Sequence, residues 1–539
     1  MLGWGCISKE CRLSNLLVSQ HTMPMQGKIL YDWPNAKIEE SLVLSALDQL
    51  GTEPYDVTIV GAGVVGCAIA YNLSQYQLRV LLVDKRYDVG EGTSKGNSAI
   101  IATGFDATPG SLESQLVTQA SRKWPELAHK LKIPFEQSGA LLLAIDDEQE
   151  GKLEKIHEEA LANGVDDVRL VDAAEAKRLE PNASSKVRGG LLIPRESIAD
   201  PFTTPVAYAE VAMANGVDIL LGVHIVGLQK CKSTVKNLVT ESGHRIATRL
   251  IVNAAGLGGR DLADLYHGAP FDINPRRGQF LIFDKSCHSI VRRILVPLPT
   301  AETKGVLVIP TIFGNLLAGP TAEDLPLGSP EATSTTAEGL RWMLSNASGL
   351  CPCLLKQPVI GTYAGERCNC KQGSYLIRYN DGYPGILTIA GIRSTGFTSS
   401  ITLAEYVTEG LGEQCDLSLD RDPDAVDSRP DSCWPGWWRK PIDDAELVKK
   451  NPDYADMVCF CEQISRGEII DALDSMLKPR TLDALKRRTR VGMGRCQGFE
   501  CRIRVAKIVS EHCDIPLDNI TQKGPGSELV APAHEAIYG

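Results

Sequence analysis

No apolar run in this chain approaches the ~18 residues that a membrane-spanning helix needs, so nothing in it predicts a bilayer span. Positive charge is not in excess. With 67 acidic and 56 basic residues the net charge is −11, which argues against nucleic acid as a partner. Residues 1–50 lack a basic stretch followed by an apolar core, so no secretory signal is read there. Their mixture of acidic and basic residues does not make a transit peptide either, and they read as an extension packed on the surface. Sixteen cysteines in 539 residues are too sparse for a disulfide scaffold. A reducing compartment, the cytoplasm, is the expectation. What remains is the composition of a globular protein, 43% hydrophobic and 23% charged, long enough for two to four domains.

What the chain does have is a pair of cysteine pairs: Cys459-Phe-Cys461 and, 34 residues on, Cys496-Gln-Gly-Phe-Glu-Cys501. Each pair is a short local chelate that a fold can bring to the other. Four thiolates suit zinc or an iron–sulfur cluster. Between the pairs, Ser465 and Glu468 have capping-box spacing for one helix, and Thr481 starts a second. A basic turn, Arg487 to Gly494, leads into Cys496, and a third helix runs from Cys501 through Val509. The basic residues either dock an acidic partner or form a solvated face. Two further CxC pairs, Cys351/Cys353 and Cys368/Cys370, read either as small packing residues or as an extra metal site.

Some 400 residues earlier, Tyr55-Asp-Val-Thr-Ile-Val60 reads as a buried parallel strand. It leads into Gly61-Ala-Gly63-Val-Val-Gly66, a helix from Cys67 to Gln75, and a second strand, Arg79–Val83, ending at Asp84. Gly61 permits the tight turn, Gly63 lets the backbone approach a pyrophosphate, and Gly66 lets helix and strand pack closely. Asp84 is placed for ribose hydroxyls. The small polar loop Gly92-Thr93-Ser94-Lys95-Gly96-Asn97-Ser98 favours a flavin dinucleotide over a nicotinamide one. A later strand closes on Asn253-Ala254-Ala255-Gly256, and another runs from Ile386 into Gly391-Ile-Arg393-Ser-Thr-Gly396-Phe397-Thr398.

In that order, these motifs resemble the D-amino-acid oxidase and glycerol-3-phosphate dehydrogenase superfamily of FAD enzymes, over roughly residues 55 to 410. Asp200-Pro201-Phe202 and Arg277-Gly278-Gln279-Phe280 add to the likeness. The cysteine module resembles the helical [2Fe–2S] domain of bacterioferritin-associated ferredoxin. It is closer still to the C-terminal domain of the anaerobic glycerol-3-phosphate dehydrogenase large subunit. The resemblance implies an α/β fold: a Rossmann-like FAD-binding domain with an inserted α+β substrate domain (about 110–190 and 270–360), plus a small helical [2Fe–2S] domain. The expected boundaries are an extension at 1–50, the flavoprotein at 51–411, a linker at 412–452, the cluster domain at 453–515 and a tail at 516–539. Trp434, Trp437 and Trp438 in the linker read as a cover for an apolar patch or as a peripheral membrane contact.

For the site, the resemblance implies FAD held by Gly61, Gly63, Gly66, Asp84, Lys85, Thr93, Ser94, Asn97, Ile225, Gly256, Gly391, Gly396, Phe397 and Thr398. No histidine stands in the flavin loop, so the FAD is expected to be non-covalent. Cys459, Cys461, Cys496 and Cys501 would hold the cluster, and Arg367 and Arg393 would hold an anionic substrate. Electrons would leave for a quinone or a partner subunit. In glycerol-3-phosphate dehydrogenases the loop after GTS carries a His and an Arg. Here it reads Ile101-Ala-Thr-Gly-Phe-Asp106, where Ala102 cannot be a base and Asp106 would repel a phosphate. The Gly104–Leu112 loop instead resembles L-2-hydroxyglutarate dehydrogenases. Glycerol 3-phosphate, a 2-hydroxy acid or an amino or imino acid remain as substrates, with a non-enzymatic redox sensor as the further alternative. No general base is assigned.

Overall fold

A computed structural model describes residues 27–31, 53–230, 236–300, 304–326, 332–430 and 440–530. The nucleotide strands form the centre of a mainly parallel sheet. Its order is Ile29–Tyr31, Asp218–Leu221, Val80–Asp84, Tyr55–Val60 and Arg245–Asn253. The far edge of Arg245–Asn253 pairs in parallel with Ile386–Ala390, and its first half pairs with the antiparallel Lys236–Thr240. Burial on both faces explains the near-continuous apolar runs of Tyr55–Val60 and Val80–Asp84. The helices Val64–Leu73, Thr203–Ala214 and Gly396–Cys415 pack on this sheet.

The substrate domain is a second sheet of nine strands, mostly antiparallel, with one parallel pairing between Ile294–Pro297 and Ala140–Ala144. Its longest ladder joins Ile273–Phe283 to Val359–Cys370. Val359–Cys370 is an edge strand, and the loop 92–97 lies along its open side. The Thr93 hydroxyl donates to the Glu366 carbonyl at 2.8 Å, and the Tyr363 hydroxyl donates to the Asn97 carbonyl at 2.7 Å. The flavin loop is thereby pinned to the edge of the substrate sheet.

Three boundaries differ from expectation. Residues Ile29–Tyr31 of the N-terminal extension are an edge strand of the nucleotide sheet, not surface cover. The segment after Cys415 is strapped down: Gln77 and Tyr71 bond to the backbone of Asp420 and Asp427, and buried Arg429 pairs with buried Glu210 at 2.6 Å. The cluster domain does not stop at 515. Ile520 lies in its core, and the amides of Leu482 and Asp483 donate to the carbonyls of Thr521 and Gln522. Composition reads these segments as polar loops, but short backbone pairings onto a neighbouring surface leave no periodicity to detect. The tryptophan-bearing stretch lies outside the described residues. Among the described residues, no helix is long and apolar enough to cross a membrane.

Candidate active site and cluster centre

The glycine turn is built for close backbone approach. Gly61 sits at φ +114°, and a Cβ on it would fall 2.4 Å from the Ala254 carbonyl oxygen. A Cβ on Gly66 would fall 1.8 Å from the carbonyl oxygen of Gly61. Only glycine fits either place. The Asp84 carboxylate accepts from the amides of Ala62 at 2.6 Å and Arg86 at 2.8 Å, tying the second strand to the turn. Burial raises its pKa despite those bonds. The Ser94 hydroxyl accepts from the Val64 amide at 2.9 Å, so the loop meets the first turn of the Val64–Leu73 helix, where a pyrophosphate would lie. Asn97 braces the loop, donating to the Ser94 carbonyl and accepting from the Ala99 amide. Gly256, at φ +58°, follows Ala255 beside Gly61. Exposed Lys85 follows Asp84, and buried Ile225 lies just past the Val223–Asp84 backbone bond.

The other end of the predicted set gathers around Ala102. Its amide donates to the Thr398 hydroxyl at 2.9 Å. Phe397 packs obliquely on Trp124, Gly391 takes φ +67°, and Gly396 opens the long helix that follows Thr395. The turn, the loop and this helix start form one continuous lining that suits an extended dinucleotide.

The two arginines part company. Arg393 pairs with Glu113 at 3.5 Å, and Glu113 also accepts from the hydroxyls of Thr395 and Ser374. Arg367 is directly opposite Arg276 in the ladder. It is half-buried, and its guanidinium donates to the Thr321 carbonyl at 3.3 and 3.4 Å. Burial and the neighbouring Arg276 lower its pKa to about 10. A half-buried guanidinium beside a second arginine suits an anion. Asp106, the residue expected to repel a phosphate, is paired with Lys304 at 2.6 Å. Asp106, Glu113 and Arg393 all act on the Lys304 ammonium, so these four groups form one cluster. Beneath them Glu196 accepts from both the amide and the hydroxyl of Thr103, at 2.8 and 2.9 Å. Burial pushes Glu196 up to about 7. Lys304 and Glu196 escaped the sequence reading because each stands in a loop with no motif around it.

In the C-terminal domain the cysteines come together as two thiol pairs, Cys459 with Cys501 and Cys461 with Cys496. The Cys501 thiol donates to Cys459, which holds Cys459 down at about 6 and Cys501 up. A two-iron cluster asks for two thiolates on each iron, and the donor set fits that chemistry. A Cβ on Gly494 would fall 2.3 Å from the Cys461 Cβ, so glycine is required for the two cysteine loops to meet. Cys351 and Cys353 approach to 3.5 Å between sulfurs, while Cys368 lies against the Thr93 hydroxyl at 3.8 Å.

This domain is locked onto the other two. Arg487 and Arg488 reach Asp88, just beyond the second nucleotide strand, and Lys95 of the flavin loop pairs with Asp483 at 2.8 Å. Arg495 pairs with Asp284, and Lys285 and Arg490 share Glu462, next to Cys461.

Residues 56–410 match the family model "FAD dependent oxidoreductase", and residues 457–511 match "BFD-like [2Fe-2S] binding domain". A glycerol 3-phosphate dehydrogenase from Caloramator mitchellensis is 35% identical, over 88% of this chain and 98% of the relative. A relative from Escherichia coli, one of the subunits of anaerobic glycerol-3-phosphate dehydrogenase, is 25% identical, over 84% of this chain and 88% of the relative. Among solved structures, the FAD-bound L-alpha-glycerophosphate oxidase of Mycoplasma pneumoniae superposes with a TM-score of 0.66 at 27% identity, covering 70% of this chain and 98% of that one.

Proposed function

Because the chain belongs to the FAD dependent oxidoreductase family and carries a BFD-like [2Fe-2S] binding domain, we propose that this FAD-dependent dehydrogenase oxidises glycerol 3-phosphate. We propose further that its electrons pass through the cluster to a partner protein. The observation that carries the substrate reading is the Lys304–Asp106 pair at 2.6 Å. It neutralises the one carboxylate that spoke against a phosphate. Arg367, for its part, has no carboxylate partner at hydrogen-bonding distance among the described residues. The end-to-end likeness to the Caloramator relative agrees with it.

The glycine turn and the flavin loop would hold FAD, which would supply a hydride acceptor, and the four cysteines would hold a cluster that would supply single-electron transfer. The chain's own part is positioning. Arg367 binds the anionic end, where a charged hydrogen bond contributes ~1.5–3 kcal/mol. Lys304 is held by Asp106 in the cluster with Glu113 and Arg393. Thr103, anchored by Glu196, keeps that loop from shifting. The two phenylalanines within the cysteine motifs support exit to a protein. Phe460 is 73% exposed and Phe499 86% exposed, an apolar face flanking the thiols with Arg495 and Arg502 nearby.

An anaerobic substrate screen that follows flavin absorbance tests the reading. Glycerol 3-phosphate is expected to bleach the flavin, and 2-hydroxyglutarate and proline are expected not to. Bleaching by the hydroxy acid alone would transfer the site to the 2-hydroxy acid class. Bleaching by none would favour a sensor.

A further inference from the structure

A cavity of about 440 Å³ lies where the flavin loop, the end of the substrate sheet and the cluster domain meet. Its size is within the usual range for small-molecule sites. Of the residues expected to hold FAD, Thr93 and Asn97 on the loop 92–97 line it while Gly61, Gly63, Asp84, Gly256 and Gly391 do not, so it abuts the dinucleotide groove across that loop. The loop 92–97 divides the two: Ser94 turns to the helix start, while Lys95 turns to the cavity.

The lining of the cavity is of two kinds. One gathers Lys95, Lys486 and Lys523. With Arg487 and Arg488 these make five cations, against the carboxylates of Asp483, Glu91 and Asp88. Lys523 has no ion pair among the described residues. Burial and the nearby Lys95, Arg487 and Lys523 push the Lys486 ammonium down, the response of a cation held among cations. The three lining ammonium groups suit a phosphate monoester dianion. The lining also carries the aromatic rings of Phe202, Phe313 and Tyr363, and the Arg490 guanidinium lies 3.7 Å from the Phe313 ring centroid. Flat groups of this kind accept a planar ring.

We propose that this cavity binds a nucleotide, a phosphate monoester joined to a planar heteroaromatic ring, in addition to the FAD. The inference goes beyond the substrate reading and does not depend on it. Lys486 and Arg490 stand on the segment that runs into Cys496, and Lys95 stands on the flavin loop. A ligand there touches the segments carrying both redox centres.

The test is titration calorimetry on the FAD- and cluster-loaded protein, with AMP and FMN as two separate probes and adenosine and inorganic phosphate as half-ligands. The expected result is one saturable site for AMP or FMN. Each half-ligand should bind at least tenfold more weakly. The variants Lys523→Gln and Phe313→Ala should each weaken binding at least tenfold with flavin and iron content unchanged. The probe that binds distinguishes a purine from a flavin mononucleotide. Absence of saturable binding by both probes overturns the proposal. So does binding that both variants leave intact, binding seen only after FAD is removed, or binding displaced by glycerol 3-phosphate, since these last two place the ligand in the dinucleotide groove or the substrate pocket.

Discussion

Arg488 grips Asp88 with both of its terminal nitrogens, each 2.7 Å from a different carboxylate oxygen, across the boundary between the cluster domain and the nucleotide sheet. The two residues are 400 apart in sequence and both are buried. Arg487 reaches the same carboxylate. Although burial works against its charge, the two guanidiniums hold Asp88 below the usual carboxylate range. The cluster is therefore fixed to the flavin loop by a desolvated charge network, not by a tether.

Replacing Asp88 with Asn is expected to destabilise the protein by about 3–5 kcal/mol, because two buried guanidiniums lose their shared carboxylate. The cut made by a protease between residues 430 and 457 should come sooner than in the parent. Thermal unfolding and timed proteolysis read both effects; an unchanged melting temperature with unchanged cleavage would show that the interface does not depend on this network.

Glu196 makes stability depend on pH. Its folded pKa, about 7, lies above the unfolded value of 4.5. A carboxyl raised in this way contributes stability that is fully present below the unfolded value and is lost as pH rises through the folded one. The loss between pH 4.5 and 7 amounts to about 3 kcal/mol for a group so buried. Glu196→Gln should flatten the melting temperature across that window. A variant with the parent's slope there would assign the effect to another group.

Arg367→Ala should raise KM for glycerol 3-phosphate by ~10–100-fold, the equivalent of one charged hydrogen bond, and leave bound flavin unchanged. Steady-state kinetics with flavin quantitation reads both. Unaltered KM would move the anion site elsewhere, with Arg393 the next to test.

Cys496→Ser should spare flavin bleaching by substrate while slowing delivery to an external acceptor. Phe460→Ser combined with Phe499→Ser should slow delivery to a protein acceptor and leave a small dye acceptor unaffected. Stopped-flow reduction and reoxidation separate the half-reactions. Equal slowing with dye and protein acceptors would mean that the phenylalanines support the cluster and not the docking.

The nucleotide half of the molecule was legible because its signals are local. A strand, three glycines, a helix start and an acid within thirty residues each answer a steric or hydrogen-bonding demand of that same stretch. The capping box at Ser465 and Glu468 was legible for the same reason, and both of its bonds are present. Asp106 was misjudged because its charge was read alone; its partner Lys304 comes from a loop of the substrate sheet nearly 200 residues away. The same holds for Arg429 with Glu210, and for residues 516–529 within the cluster domain.

The sequence by itself determined the cofactors and the order of the domains, since glycine spacing and cysteine pairing are properties of adjacent residues. Only the tertiary structure decided which charges cancel: Lys304 against Asp106, Arg488 against Asp88, and no carboxylate at hydrogen-bonding distance of Arg367 among the described residues. Electrostatic energy depends on distance and burial, and neither can be read along a chain before it folds.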